Sequence, residues 1–320
     1  VVGTVLVMTD AEDYTSDLVV SALQERGMTV VRLDPGAGPI RMEVTLARSG
    51  WRDSVGDEHR VIDLREVVSV LWRWPTPPAG NPDITDLARR EWAAREDTAA
   101  LYGVLKTLPV RWVNHPDRRE AANSKPGQLI VAAASGFAVP DTILTTRGDA
   151  VRAWAHGRDV LYKAFYAQAA DENEMVIATR VRSADLPTEL GAASTFQEII
   201  VGQSIRVTVI GEQTFAVAIS GTDELDWRPV SNQLTFSPIQ VPQEVVTRIH
   251  AFMRHYGLEY GAMDFIRSAA TEQWIFLENN PSGMYGFVEI QSGLEITAAI
   301  ADRLCLPLES SSPVTSTVGW

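Results

Sequence analysis

Two short stretches place oxygen-bearing side chains where apolar runs end. Residues 261–266 read GAMDFI, which sets Asp264 between Met263 and Phe265. Residues 275–287 read IFLENNPSGMYGF and carry Glu278, Asn279 and Asn280 out of an apolar run into a Pro–Ser–Gly turn. Side chains alternate along a strand, so Phe276, Glu278 and Asn280 are expected on one face and Ile275, Leu277 and Asn279 on the other. A carboxylate isolated among apolar neighbours is costly unless something positive meets it. Asp264, Glu278 and Asn280 together supply the hard oxygen donors that magnesium takes, one or two carboxylates completed by phosphate oxygens. The plain alternative is that all three end strands and open turns, as Asp, Asn and Pro commonly do.

Candidate cations are spread along the chain. Lys163, in DVLYKAFY, interrupts an apolar run. It is either a lysine snorkelling from an edge strand or a fixed cation for nucleotide phosphates. Lys125, in NSKPGQL, stands at an expected helix start, where a cation is disfavoured unless an anion shares the site. Arg206, in SIRVTVIG, lies within a strand pattern, and Arg228, in DELDWRPV, in a loop two residues after Asp226. An arginine suits bidentate recognition of phosphate or carboxylate, while an Asp226–Arg228 ion pair is the structural alternative. His250 and His255 are five apart on an expected helix and face different ways. There is no HExxH, no Cys/His cluster and no G-x-S-x-G.

These residues need elements to hold them. Residues 1–115 alternate strand and helix signals, with strands at 5–8, 29–33 and 67–72 and helices at 17–26 and 84–108, the pattern of a small, mainly parallel α/β unit. No GxGxxG or GxxxxGK[ST] loop follows any of the strands. Residues 116–190 open with Asn123 and Ser124 as candidate helix caps and continue into strands at 160–166 and 175–181. Residues 191–306 are α+β: strands at 196–201, 205–210 and 214–219, a helix at 243–256, strands at 262–266 and 274–277, and a helix near 289–304. A polar, proline-broken tail at 307–320 ends the chain.

Composition narrows the function. At 320 residues two or three subdomains are expected, and 45% hydrophobic with 22% charged residues is ordinary for a soluble globular protein. Forty-one acidic against 28 basic residues, a net charge of -13, argue against nucleic acid or an anionic membrane as partner. An anionic substrate would need local arginines to receive it. The single cysteine, Cys305, excludes an internal disulfide and fits a reducing cytoplasm. The opening VVGTVLVM is too short for a membrane span and has no basic region before it, so no signal peptide is expected.

Taken in order, NSKPGQL, LYKAFY, TFQEII, IRVTVIG, MDF and LENNPSG resemble the ATP-grasp enzymes. KPGQLIVAAASGFAVPDTILT, FQEIIVGQSIRVTVIG, DWR and YGAMDFIRSAATEQWIFLENNPSGMYGFVE resemble more closely the maturases that make graspetides, the microviridin-like ribosomal peptides. The resemblance covers residues 115–305 by motif and the N-terminal unit by architecture. It implies an ATP-grasp fold with a pre-grasp α/β domain (1–115), a central α+β subdomain (116–190) and a C-terminal antiparallel-sheet subdomain (191–306). It further implies magnesium on Asp264, Glu278 and Asn280, phosphates and adenine edges on Lys125 and Lys163, and an adenine hinge of Gln197, Glu198, Ile199 and Ile200. Arg206 would face the transferring phosphoryl group, and Arg228 with Asp226 would hold the acceptor peptide. Where many ATP-grasp enzymes have a glycine-rich loop, this chain reads AQAADENE.

The activity implied is ATP-dependent macrocyclisation in the cytoplasm by a homodimer. Asp or Glu side chains of a precursor peptide would be activated as acyl phosphates and joined to Thr or Ser hydroxyls, or Lys amines, of the same peptide. Two rivals stay open: an ATP-grasp ligase acting on free amino acids or a protein tail, and a nucleotide-binding module without catalysis.

Overall fold

The first apolar run forms β1 (Thr4–Met8), buried at every position. The structure, a computed structural model, describes residues 3–57, 59–165, 177–222 and 233–306. Asp13 caps α1 (Tyr14–Glu25) by accepting from the Ser16 amide, so the helix begins before the expected residue 17 and ends ahead of Gly27 at φ +74°. The chain returns as β2 (Thr29–Leu33). Residues 41–63, where the pattern reading names no element, form a separate antiparallel sheet of β3 (Arg41–Ala47), β4 (Gly50–Gly56) and β5 (Val61–Asp63). Then come β6 (Val67–Trp72), the long α2 (Leu87–Lys106) and β7 (Arg111–Val113). Strands order as β2-β1-β6-β7, all parallel. Both faces are covered, as the unbroken apolar run of β1 demands. Val5 and Val7 pack with α1, whereas Leu6 and Met8 pack with Leu101 and Leu105 of α2.

Two short helices follow, α3 (Pro116–Ala122) and α4 (Lys125–Ala134). Ser124 caps α4 by accepting from the Gly127 amide at 3.3 Å; Asn123 instead closes α3. The next sheet orders as β10-β9-β11-β8, all antiparallel, from β8 (Thr142–Arg147), β9 (Asp159–Lys163), β10 (Thr179–Arg182) and β11 (Glu189–Gln197). It packs on α5 (Gly148–Ala155) through Val151, Ala155, Val160 and Phe196. The strand expected at 196–201 ends at Gln197, and residues 198–201 are irregular.

A five-stranded antiparallel sheet completes the chain, ordered β14-β13-β12-β15-β16. Its strands are β12 (Gly202–Ile210), β13 (Gln213–Ser220), β14 (Thr235–Ile239), β15 (Tyr260–Ser268) and β16 (Trp274–Asn280). One face buries Ile205, Val207, Met263, Phe265 and Phe276 against α6 (Gln243–Tyr256), whose Ile249 and Phe252 are fully enclosed. At one end of the other face, Ile210, Val217 and Ala262 join a core shared with α7 (Gly286–Ser292), α8 (Ile296–Cys305), α1 and the parallel sheet. The N-terminal unit is thereby fused to the C-terminal sheet. No helix of the described residues is long and apolar enough to cross a membrane.

Strict alternation fails in β16. Asp264 pairs with Glu278 but Phe265 with Phe276, so Leu277 is an extra residue, a β-bulge. Phe276 and Asn279 are fully buried on the α6 side, whereas Leu277, Glu278 and Asn280 face a cavity on the other. The expected shared face of Phe276, Glu278 and Asn280 is therefore corrected. Without the bulge, Glu278 would enter the Phe252–Phe276 core, where an unpaired carboxylate costs several kcal/mol.

Candidate functional site

A cavity of about 680 Å³ opens beside the free face of the five-stranded sheet. All ten described residues singled out from the sequence line it: Lys125, Lys163, Gln197, Glu198, Ile199, Ile200, Arg206, Asp264, Glu278 and Asn280. Asp226, Arg228, the AQAADENE segment and the tail at 307–320 lie outside the described residues.

One wall is acidic. On β15 and β16, Asp264 and Glu278 are cross-strand partners, with Asn280 two residues on. Asn280 donates from Nδ2 to Glu278 Oε1 at 3.1 Å, which aims its own oxygen elsewhere. That oxygen and Glu278 Oε2 both meet the Lys125 ammonium, at 3.1 and 3.2 Å. Arg206 stands opposite Asp264 in the β12–β15 register and donates from Nη1 to its Oδ2 at 2.7 Å. The arginine is 6% exposed, its Nη2 reaches Met284 O at 3.3 Å, and its Nε has no partner.

The two carboxylates are driven apart electrically. Burial raises the Asp264 carboxyl, Arg206 lowers it and the Glu278 charge raises it again, leaving it above the ordinary range. Burial also raises Glu278, but Lys125, Lys163 and the Asn280 and Lys125 hydrogen bonds together bring it well below. Burial pulls the Arg206 guanidinium down, and its neighbours, the Asp264 charge foremost, more than restore it. At neutral pH this wall carries charge on both signs.

Lys163 ends β9, which has β10 on one side and β11 on the other, so its strand is not an edge strand. Lys163 itself pairs in register only with Thr195 of β11, the β10 pairing ending at Tyr162. Its charge acts on both Asp264 and Glu278. Gln197 is spent on structure, donating to Thr142 Oγ1 at 3.0 Å, and Glu198 Oε1 accepts from the Asp141 amide at 3.0 Å. These anchors, with the Glu198 amide donating to Asp141 O at 3.0 Å, hold residues 198–200 against the cavity, where Ile199, Ile200 and Leu161 contribute an apolar lining.

The oxygen set fits magnesium carried on phosphates rather than a cage of its own. Asp264 Oδ1 is buried with no hydrogen-bond partner, and every donor is oxygen. Among the described residues no group of three or more His, Cys, Asp and Glu could hold a metal. Two carboxylates and an amide leave positions that phosphate oxygens and water would complete.

Several supports have no counterpart in the sequence reading. Gln128, 1% exposed, pairs with β16 as a strand would, accepting from Asn279 N and donating to Asn279 O, both at 2.8 Å. Asn114, after β7, donates to Tyr260 O and Pro281 O at 2.8 Å and accepts from the Glu259 and Tyr260 amides. Arg73, after β6, binds Asp13 at 3.1 Å and donates to Ser282 O and Gly283 O. A charge flanked by apolar residues, the pattern that marks Asp264, also marks Arg73 in LWRW. Gly283 is required by space: a Cβ there would lie 2.7 Å from Ala262 Cβ and 2.9 Å from Arg206 Nη2.

The family model of the MvdD pre-ATP grasp domain matches residues 4–120. Among solved structures, the chain is similar to macrocyclase MdnC of Microcystis aeruginosa MRC, bound with precursor peptide MdnA, at 27% identity and TM-score 0.81, over 94% of this chain and 98% of that one. A RiPP-associated ATP-grasp ligase of Chryseobacterium gregarium, in complex with ADP and a leader and core peptide, superposes with TM-score 0.84 at 24% identity, over 95% and 96%. The ATP-grasp ligase PsnB, complexed with a phosphomimetic precursor variant, Mg and ADP, gives TM-score 0.73 at 23% identity, over 95% and 98%. No curated protein matches the chain.

Proposed function

We propose that this ATP-grasp ligase is a macrocyclase of a ribosomal precursor peptide. The observation that carries the reading is the convergence of Asp264, Glu278 and Asn280 with Lys125, Lys163 and Arg206 on one cavity, next to the apolar lining at Ile199 and Ile200. Residues 1–115, 116–190 and 191–306 would be its pre-grasp, central and C-terminal units, and each contributes to the wall.

When bound, magnesium neutralises phosphate charge and ATP supplies the phosphoryl group that activates a carboxylate. The chain's residues do the rest. Asp264, Glu278 and Asn280 hold the metal. Lys163 and Lys125 face phosphates, and main-chain groups at 198–200 read the adenine edge. Arg206, fixed by Asp264 with Nε unspent, is placed for charge developing on the transferred group. An Asp or Glu side chain of the peptide attacks the γ-phosphorus, giving an acyl phosphate and ADP. A Thr or Ser hydroxyl, or a Lys amine, of the same peptide then attacks the acyl carbon and expels phosphate. Asp226 and Arg228 would hold the acceptor peptide.

The test uses precursor carboxylates labelled with heavy oxygen. One labelled atom should leave in phosphate for each bond made, with loss of one water per crosslink. Crosslinks formed with all label retained, or AMP in place of ADP, would overturn the reading.

A further inference from the structure

The cavity reaches past the acidic wall to residues that this mechanism does not use. Beyond the 281–284 turn it is lined by Trp74, Arg119 and Asn123. Trp74 follows β6 and Arg119 lies on α3, which follows β7, so both stand at the carboxyl ends of the parallel strands. In open α/β sheets that edge is where ligands are received.

Arg119 is a half-buried cation without an acid. Its guanidinium lies over the Trp74 ring, 5.1 Å from the centroid, and among the described residues it has no ion pair and no hydrogen bond. Its Nε is shielded from solvent with no acceptor. Burial lowers its pKa, Glu120 opposes this and Arg73 adds to it. Arg73 does not share this state, being neutralised by Asp13. A half-buried guanidinium stacked on an aromatic ring, with its Nε shielded and unpaired, is disfavoured unless an oxyanion completes it. In the proposed function the nucleotide's phosphates are met by Lys125, Lys163 and Arg206. The remaining oxyanion is the substrate's.

We infer that Arg119, backed by Trp74, is the carboxylate-receiving group at the carboxyl ends of the parallel strands, binding an Asp or Glu side chain of the incoming peptide bidentately. The inference rests on the peptide-ligase reading above. It explains how a chain of net charge -13 admits an acidic substrate: a local cation, half-buried and stacked on an aromatic ring, outweighs the distant field. Arg119 positions the substrate and transfers nothing itself.

Calorimetry on the full-length protein saturated with ADP and magnesium tests it. The probe is a synthetic dodecapeptide containing Glu, Asp and Thr, compared with the same peptide carrying Gln and Asn. Arg119→Gln should weaken the acidic peptide about 10-fold or more and leave ADP affinity within about twofold. The amide peptide should bind parent and variant equally. Arg119→Lys, which keeps charge but not the planar fork, should recover only part, and Trp74→Leu should fall between. Unaltered ADP affinity also certifies folding. Equal losses of ADP and peptide would make Arg119 a phosphate contact and overturn the inference. So would parent-like peptide binding by Arg119→Gln, with the peptide-ligase reading intact. Failure of the parent itself to prefer the acidic over the amide peptide would overturn both.

Discussion

Arg206 and Asp264 face each other across neighbouring strands, joined by a 2.7 Å bond from Nη1 to Oδ2, with one further polar atom on each left unpaired. The pair is thus structural and still unsatisfied, as a site awaiting charged ligands should be. Arg206→Met would strand a buried carboxylate, a loss of about 3–5 kcal/mol in urea unfolding. Adding Asp264→Asn should recover part of that stability and none of the turnover. Parent-like stability in the single variant would refute the coupling.

Glu278 gives a pH dependence with a definite sign. Its folded pKa lies below the ordinary 4.5, despite burial, because of Lys125, Lys163 and the Asn280 and Lys125 hydrogen bonds. Its stabilising contribution is full above that value and is lost as pH falls below it. Asp264, raised in the folded state, acts in the opposite direction above its ordinary 3.8. Denaturant midpoints of the ligand-free protein should fall more steeply below pH 4.5 than those of Glu278→Gln. The same variant should lose at least about 100-fold in ATP turnover.

Lys125 sits where a metal would bind. Its ammonium contacts Asn279 O at 3.3 Å as well as Asn280 and Glu278. Lys125→Met should raise magnesium affinity without nucleotide while weakening ATP about 10-fold. Titration with magnesium chloride alone, read by calorimetry, would show the rise. Unchanged affinity would mean that the ammonium does not compete for these oxygens.

Lys163→Met keeps the apolar stem. Stability should fall by no more than about 1 kcal/mol, since the charge beside Glu278 is lost but no hydrogen bond is broken, while ATP affinity drops about 10-fold. Parent-like ATP binding would remove Lys163 from the phosphate site.

Asn114→Ala removes four hydrogen bonds that tie β7 to β15 and to the turn after Asn280. At about 1 kcal/mol each, the variant should unfold about 3–5 kcal/mol more easily. Its ATP affinity should fall too, because the turn carries Asn280. A fall in stability with unchanged ATP binding would separate the two roles.

Local chemistry was enough for much of this. The helix at 243–256 has the bounds read from its pattern, with Gly257 at φ +64° ending it, and β2 and β6 also match residue for residue. Asp264, Glu278, Asn280, Lys163 and Arg206 were legible because a charge or amide inside an apolar run needs a reason wherever it lies. Residues 197–200 were legible as a stretch that lines the cavity, though not as an irregular segment anchored by Gln197 and Glu198.

Other features exist only once the chain is folded. The bulge at Leu277 lies in the pairing with β15, next to Asn279, which Gln128 holds from 151 residues away, and it reverses the facing that alternation alone predicts. The interior place of β9, which takes Lys163 off an edge strand, depends on strand order. Arg73, Arg119 and Asn114 belong to the site because the parallel sheet is fused through α1 and α8 to the C-terminal sheet, bringing its strand ends to the 281–284 turn. The sequence by itself determined which groups could do chemistry, since burial cost attaches to a residue type in its local context. Which of them meet was decided by tertiary structure, since register, bulges and sheet docking are set by contacts distant in the chain.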